Sequence, residues 1–247
     1  MRKALVEASQ YAHGVMIDIG CGLRPYENIF REKITSYIGL DYPMALDKAR
    51  VEIVADALEL PLADGSVDTT LATEVMEHLS DPDKFLSQIA RVSRPSGILI
   101  LSIPFMEPLH EEPRDYFRFT PYSLSLLMAR HGFEVKQILP KGGWWSVVLS
   151  SFVSQVVYDW ANPVKESDGS RRDGVGMFVA LPICAAVQWL GYMLDRVFRS
   201  SRYTLGYIAI GRLSEPDTSA TDLEPVAVNV DARQTADSEL LTLATNS

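Results

Sequence analysis

The stretch with the clearest chemical potential is Met16-Ile-Asp-Ile-Gly-Cys-Gly22. A short apolar run ends in an acid and then breaks into a glycine-spaced turn. Ile17 and Ile19 read as a buried strand, while Gly20 and Gly22 permit backbone geometry that a side chain would block. Bare main chain at the carboxyl end of a strand is where open α/β sheets bind nucleotide-like ligands. A dinucleotide fingerprint needs a further glycine three positions on, opening a helix beneath a pyrophosphate; Pro25 stands there instead. Asp41 closes a second apolar run about twenty residues past the turn, the spacing at which a carboxylate reaches ribose hydroxyls. Asp56 closes a third run. Taken singly, each acid fits a strand-end turn or a helix cap equally well. Both at strand ends behind a glycine turn favour ligand binding.

These groups need elements to hold them. After the first strand, the pattern predicts strands over 36–41, 51–56, 67–74, 97–104, 133–139 and 203–211. Helical stretches lie between them, notably 81–94, where Phe85, Ile89 and Val92 recur at helix spacing, and a helix capped by Thr120 with Pro121 at its first position. Alternating strands and helices imply a parallel sheet covered on both faces.

With those elements placed, the chain resembles a class I S-adenosylmethionine-dependent methyltransferase of the small-molecule type. The resemblance rests on Asp18-Ile-Gly-Cys-Gly22, Asp41, Asp56-Ala-Leu-Glu-Leu-Pro61, Glu74-Val-Met-Glu-His-Leu79 and the Arg94-Pro-Ser-Gly97 turn. It covers roughly residues 10–140 and resumes at 203–213. It implies an α/β fold, a Rossmann-like three-layer sandwich whose seven-stranded, mostly parallel sheet carries a hydrophobic helical insertion before its last strand. It also implies S-adenosyl-L-methionine as cofactor: Asp18, Gly20, Cys21 and Gly22 shaping the methionine side, Asp41 accepting the ribose hydroxyls, Asp56 with Ala57 meeting the adenine, and Glu74 completing the site. Two carboxylates suit an uncharged adenosine and would repel a dinucleotide's phosphates. In one respect the chain departs from many relatives, which have a glycine where Arg24 stands; that could alter the methionine end of the pocket.

Methyl transfer is an in-line displacement that gains from alignment and from excluding water, without a covalent nucleophile. A hydroxyl acceptor also needs a base. His110 opens the segment His-Glu-Glu-Pro-Arg-Asp-Tyr-Phe-Arg-Phe-Thr120, which follows the fifth strand and combines a base, acids, Arg114, Arg118 and aromatics. It is similar to a segment of methyltransferases of polysaccharide or lipid-linked sugar biosynthesis. The catalytic candidates are His110, Asp115 and then His78, each weighed against a structural role such as a salt-bridged loop. His131, before Gly132, reads as a helix C-cap, and His13 as a surface residue.

The net charge of −9 is concentrated in residues 214–247, where seven acids face only Arg233. That segment reads as a disordered acidic tail, and residues 1–213 as the methyltransferase domain. An acidic body argues against nucleic-acid partners. Cys21 and Cys184 suit a reducing compartment and form no metal spacing, so no metal site is expected. No signal peptide is evident.

Residues 142–202 fit no strand of the basic fold. Two uncharged runs, 142–158 and 175–194, flank a polar stretch. The second run has the length of a membrane-spanning helix, though Pro182, Gln188 and Gly191 weaken it. Gly176, Ala180 and Cys184 form a small-residue stripe suited to close helix packing. All four tryptophans, Trp144, Trp145, Trp160 and Trp189, fall in the insertion; all but Trp189 lie near the ends of the first run, which suits a membrane interface, and Arg196, Arg199 and Arg202 would hold the end of the second run on the cytoplasmic side. Because catalytic strands lie on both sides, the insertion either crosses twice, dips in and returns, or stays out as a soluble lid or dimer surface. The expectation is a methyltransferase acting on a small or lipid-linked acceptor, perhaps a sugar hydroxyl, at the cytoplasmic face of a membrane. Its rivals are a non-catalytic membrane-tethered scaffold, kept open by Arg24, and a nucleotide-dependent oxidoreductase, opposed by Pro25.

Overall fold

The computed structural model describes residues 1–42, 51–161, 175–198 and 203–214, with side chains omitted for 156–161 and 175–181. Expectations for the acidic tail beyond 214, the polar stretch 162–174, Arg199 and Arg202 fall outside the described residues, as do those for the side chains of Trp160, Gly176 and Ala180.

Short, nearly continuous apolar runs build the sheet. The strands are β1 (Val15–Ile19), β2 (Ser36–Asp41), β3 (Ile53–Val54), β4 (Val67–Thr73), β5 (Ser93–Pro104), β6 (Phe133–Pro140) and β7 (Gly206–Leu213). They form one seven-stranded sheet in the order β3-β2-β1-β4-β5-β7-β6. Strands β1 to β5 pair in parallel, and β7 runs antiparallel between β5 and β6. Third-strand pairing is shorter than expected, limited to Leu40 with Ile53 and Asp41 with Val54. Strand β5 is longer than expected, beginning before Gly97.

Both faces of the sheet are buried, which is why its strands read as near-continuous apolar runs. On one face Ile17, Ile19, Leu99 and Leu101 pack beneath Phe85, Leu86, Ile89 and Val92 of α3 (Pro82–Val92) and Leu124 and Met128 of α4 (Pro121–Arg130). On the other, Met16, Leu71, Ile98, Ile100 and Ile208 meet Leu5 and Ala8 of α1 (Arg2–Ala8) and Phe30 of α2 (Glu27–Phe30). Asp81 caps α3 by accepting from the Lys84 amide at 2.9 Å, and Thr120 caps α4 by accepting from Ser123 at 3.1 Å. His131 lies at the C-cap of α4, with Nε2 3.1 Å from Asp83, and His13 is exposed.

The insertion is a helical hairpin of α5 (Trp144–Ala161) and α6 (Val175–Val197). The start of α5 abuts the end of α6: Asp195 accepts from the backbone amides of Gly143, Trp145 and Ser146 at 2.8, 2.9 and 3.1 Å. One carboxylate thus caps α5 from the partner helix. Cys184 is buried, whereas Phe152, Ile183, Trp189, Leu190, Val197 and Phe198 are exposed. Among the described residues no helix is long and apolar enough to cross a membrane, so the double-crossing arrangement finds no support.

The strand order reverses between β1 and β4, with β2 and β3 on one side and β5 on the other. Open α/β sheets bind their ligands at the carboxyl ends of such a switch point.

Candidate active site

At the switch point, β1 ends in a turn made by positive-φ backbone. Gly20 has φ 70° and Gly22 has φ 48°. A Cβ on Gly20 would collide with Val75, while one on Gly22 would meet nothing within 4 Å, so the space above Gly22 is open to a ligand. The turn is fastened to β2: Gly20 and Cys21 donate their amides to Leu40 O at 2.8 and 3.2 Å. Gly22 donates to Asp41 Oδ2 at 2.9 Å, and Asp41 Oδ1 accepts from the Tyr42 amide at 2.7 Å. Asp41 is buried, and it shapes the turn that it borders.

Arg24 occupies the expected third-glycine position and adopts φ 56°, the left-handed region that glycine favours. Arg24 thus keeps the backbone conformation that a glycine would adopt readily at this position. Arg24 pairs with Glu52, which also accepts the Gly39 amide at 2.7 Å, and its guanidinium lies 5.6 Å from the centre of the Tyr37 ring.

Asp18 is buried beneath the turn. The Tyr37 hydroxyl donates to its Oδ2, and its Oδ1 has no hydrogen-bond partner among the described residues. Burial pushes its carboxyl up to about 7, and burial likewise raises the Tyr37 hydroxyl. An orphaned buried acceptor below open main chain fits the amino group of an amino-acid-bearing cofactor. Cys21 is buried and its thiol is pushed up to about 11, chiefly by burial, which leaves it inert at neutral pH. Asp56 is exposed, and its Oδ1 accepts from the Leu58 amide at 2.8 Å, forming the strand-end turn; Ala57 beside it is buried. The Ala55 amide donates to Asp41 O at 3.0 Å, which joins this turn to the end of β2.

Glu74, with φ 55°, follows β4 directly. Its Oε1 accepts from Ser102 at 2.5 Å and from buried Lys141 at 2.6 Å. Lys141 lies at the root of the helical insertion and was not among the sequence candidates.

A 3₁₀ turn, Met76–His78, follows. Glu77 is fully buried, and neither of its carboxylate oxygens has a hydrogen-bond partner among the described residues; burial pushes it up to about 8. His78 Nδ1 lies 2.9 Å from Arg114 O, and its Nε2 lies 3.7 Å from Glu77 Oε1. The His78 and His110 rings meet edge to face at 4.9 Å, and His110 Nδ1 lies 3.1 Å from Pro108 O. The structure thus brings together two candidates separated by 32 positions.

Asp115 has the geometry of the salt-bridged loop weighed against its catalytic role. Its buried carboxylate accepts from Arg118 at 2.5 and 2.7 Å and from the His110 amide at 3.0 Å. The Arg118 guanidinium holds this carboxyl well below the usual range, so it is a poor proton acceptor and acts by fixing the loop. Arg118 also donates to Glu107 O and Pro108 O, and the Tyr116 amide donates to Glu77 O at 2.9 Å. Sequence reading missed Glu77 as a site residue although it stands beside His78, and missed Tyr37, whose role depends on its neighbour strand.

Residues 17–101 match the sequence model of a methyltransferase domain. A probable S-adenosylmethionine-dependent methyltransferase of Mycolicibacterium smegmatis is 32% identical over 137 residues, covering 50% of this chain and 53% of that protein. Ajmaline N-methyltransferase of Rauvolfia serpentina is 30% identical over 175 residues, covering 64% and 55% respectively. The chain thus spans about half the length of these relatives. Among solved structures, the [4+2]-cyclase SpnF aligns with TM-score 0.56 at 17% identity over 86% of this chain and 80% of its own. Phosphoethanolamine N-methyltransferase 2 of Haemonchus contortus, in complex with S-adenosyl-L-methionine, aligns with TM-score 0.51 at 16% identity over 86% and 52%. These two likenesses concern the fold.

Proposed function

We propose that the chain, whose residues 17–101 match the sequence model of a methyltransferase domain, is a class I S-adenosylmethionine-dependent methyltransferase that methylates a hydroxyl on a small or lipid-linked acceptor, a sugar being the favoured class. The observation that carries this reading is the orphaned Asp18 oxygen beneath the open Gly20–Gly22 turn, on the same sheet edge as the His78–His110 pair.

When bound, S-adenosylmethionine supplies an electrophilic methyl group on a sulfonium. The chain does the rest. Asp18 and the glycine turn hold the methionine end, Asp41 holds the ribose, and the turn at Asp56 and Ala57 borders the adenine. The His78–His110 pair serves the acceptor's hydroxyl, and Asp115 with Arg118 sets the loop that carries His110. Alignment and exclusion of water supply the acceleration, because an in-line displacement needs no covalent nucleophile.

The exposed apolar side chains of the α5–α6 hairpin support a surface-lying membrane contact, with Arg196 beside Tyr192 at 6.0 Å as an interfacial pair. Such a contact would favour a cytoplasmic membrane face, where a lipid-linked acceptor would be presented. Flotation with anionic phospholipid vesicles tests it: the protein should float, and a variant with Trp189, Leu190 and Phe198 changed to Ser should not. Wild-type protein left at the bottom of the gradient, and forming dimers, assigns the patch to a second copy instead.

Calorimetry with S-adenosylmethionine tests the core reading. Asp41→Ala should weaken binding by about 10- to 100-fold, the worth of charged hydrogen bonds of about 1.5–3 kcal/mol. Folded wild-type protein that binds no cofactor would overturn the proposal. Binding without transfer to any hydroxyl acceptor in membrane extracts would favour the scaffold.

A further inference from the structure

We propose that Glu77, His78 and His110 form a divalent-cation site on the acceptor side of the cleft, suited to a borderline first-row ion such as Zn²⁺, Co²⁺ or Mn²⁺. The inference rests on the methyltransferase reading and deepens it, because it says how the histidine pair activates a hydroxyl. Linear spacing gives no metal motif here. The site exists only because the segment after β5 folds against the 3₁₀ turn after β4.

Geometry comes first. One carboxylate oxygen of Glu77 and one ring nitrogen each of His78 and His110 lie within 4.8 Å of one another. Ligands bound at about 2.0–2.2 Å to one ion sit roughly 3–3.5 Å apart. The observed Glu77 Oε1 to His78 Nε2 separation of 3.7 Å is close to that, and His110 is partly exposed.

Protonation agrees. A backbone carbonyl only accepts, so the bonds from Nδ1 of His78 to Arg114 O and from Nδ1 of His110 to Pro108 O place the proton on Nδ1 of each neutral ring. Both Nε2 atoms then carry bare lone pairs. An Nδ1–H held by a backbone carbonyl is the usual way a protein orients a metal-ligating imidazole. Asp115 Oδ2, 3.4 Å from His110 Nδ1, adds a second orienting group.

Glu77 is the independent observation. Its carboxylate is wholly buried, points at this cluster and has no hydrogen-bond partner among the described residues. Unpaired buried acids are costly, and such groups are kept where they pair or bind metal. The nearby cations are already committed: Lys141 bonds Glu74, and Arg118 bonds Asp115. Two imidazoles and one carboxylate favour Zn²⁺-like ions over Ca²⁺ or Mg²⁺. Three protein ligands leave a coordination position open, and exposed Glu111, with Oε2 4.0 Å from His78 Nε2, borders it.

The open position suits the acceptor's oxygen. Bound to the cation, a hydroxyl loses its proton to solvent at lower pH. Its oxygen then forms the new O–CH₃ bond as the S–CH₃ bond breaks, and sulfur keeps the electron pair. No oxidant or reductant is required.

The full chain, stripped with a chelator and dialysed, is titrated with Zn²⁺ and separately with Co²⁺ by calorimetry and visible absorption. S-adenosylmethionine binding is measured on the same sample. One ion per chain at micromolar or tighter affinity is expected, with Co²⁺ giving ligand-field bands. Glu77→Gln and His110→Ala should each weaken binding by about tenfold or more while leaving the cofactor affinity and the melting temperature near wild type. Protein that binds cofactor but no stoichiometric ion overturns the site, as does ion binding undiminished in both variants. Ion binding without cofactor binding upholds the site and sinks the methyltransferase reading instead.

Discussion

Between Gly20 and Asp41 the cleft is made of main chain; between Glu77 and Arg118 it is made of side chains. On the first lip, the amides of Gly20, Cys21 and Gly22 lock onto β2, and three positive-φ residues in five set the path. On the second, the Asp115–Arg118 pair, the edge-to-face histidines and a buried glutamate set the shape. Backbone-built sites tolerate change in neighbouring side chains and take one ligand, which suits a shared cofactor. Side-chain-built sites change with single substitutions, which suits an acceptor that differs between relatives.

If the contrast holds, the largest effect comes from the main-chain lip. Gly20→Val forces a branched side chain to φ 70° and into Val75. It should cost about 2–6 kcal/mol in chemical denaturation, from left-handed strain and overpacking combined, and should abolish cofactor binding by calorimetry.

Asp18→Asn sharpens the same lip with the opposite sign. The native carboxyl titrates near 7 and the unfolded one near its ordinary value of 3.8, so the native state binds the extra proton between those limits. Wild-type stability should therefore fall as pH rises from about 4 to about 7, by up to about 4 kcal/mol, and level off above. The variant should lack that slope in the ligand-free protein and bind cofactor more weakly.

On the other lip, Asp115→Asn should lower turnover about tenfold or more while leaving the cofactor's affinity alone, since it loosens the support of His110. Loss of a buried ion-pair partner should also cost about 2–3 kcal/mol, at the modest end because Arg118 reaches solvent. In wild type the Asp115 contribution is present above the ordinary carboxylate value and vanishes as pH falls through its lowered native one. Equal losses of turnover and cofactor affinity would dissolve the distinction between the lips.

The smallest effect is expected for Arg24→Gly. Relief of the left-handed conformation, about 1 kcal/mol, is offset by the lost Glu52 pair and Tyr37 contact. Thermal melts should move little.

The same division explains what could be read from the chain. Strand ends, glycine turn and the Thr120 helix cap follow from local rules, so Asp41 and Thr120 were legible, and so was the position of Arg24. The alternation of strands and helices announced a sheet buried on both faces. Glu77 was hidden because nothing local distinguishes a wholly buried acid from an exposed one. For Asp115 the choice between a catalytic role and a salt-bridged loop stayed open, because Arg118 is visible in the sequence as a neighbour and not as a bidentate clamp. Lys141 and Asp195 act across 67 and about 50 positions, beyond any periodic pattern.

The place of β7 has a consequence for how the molecule assembles. It fills the slot between β5 and β6 in antiparallel register, and it is the last strand of the sheet. Until residues 206–213 leave the ribosome, two strand edges stand open and the apolar hairpin has already emerged. Such edges are sites of aberrant pairing, and contacts this distant in sequence form slowly. A nascent chain stalled before residue 206 should therefore be sticky and protease-sensitive, and the final eight-residue strand acts as the closing stitch of the whole sheet.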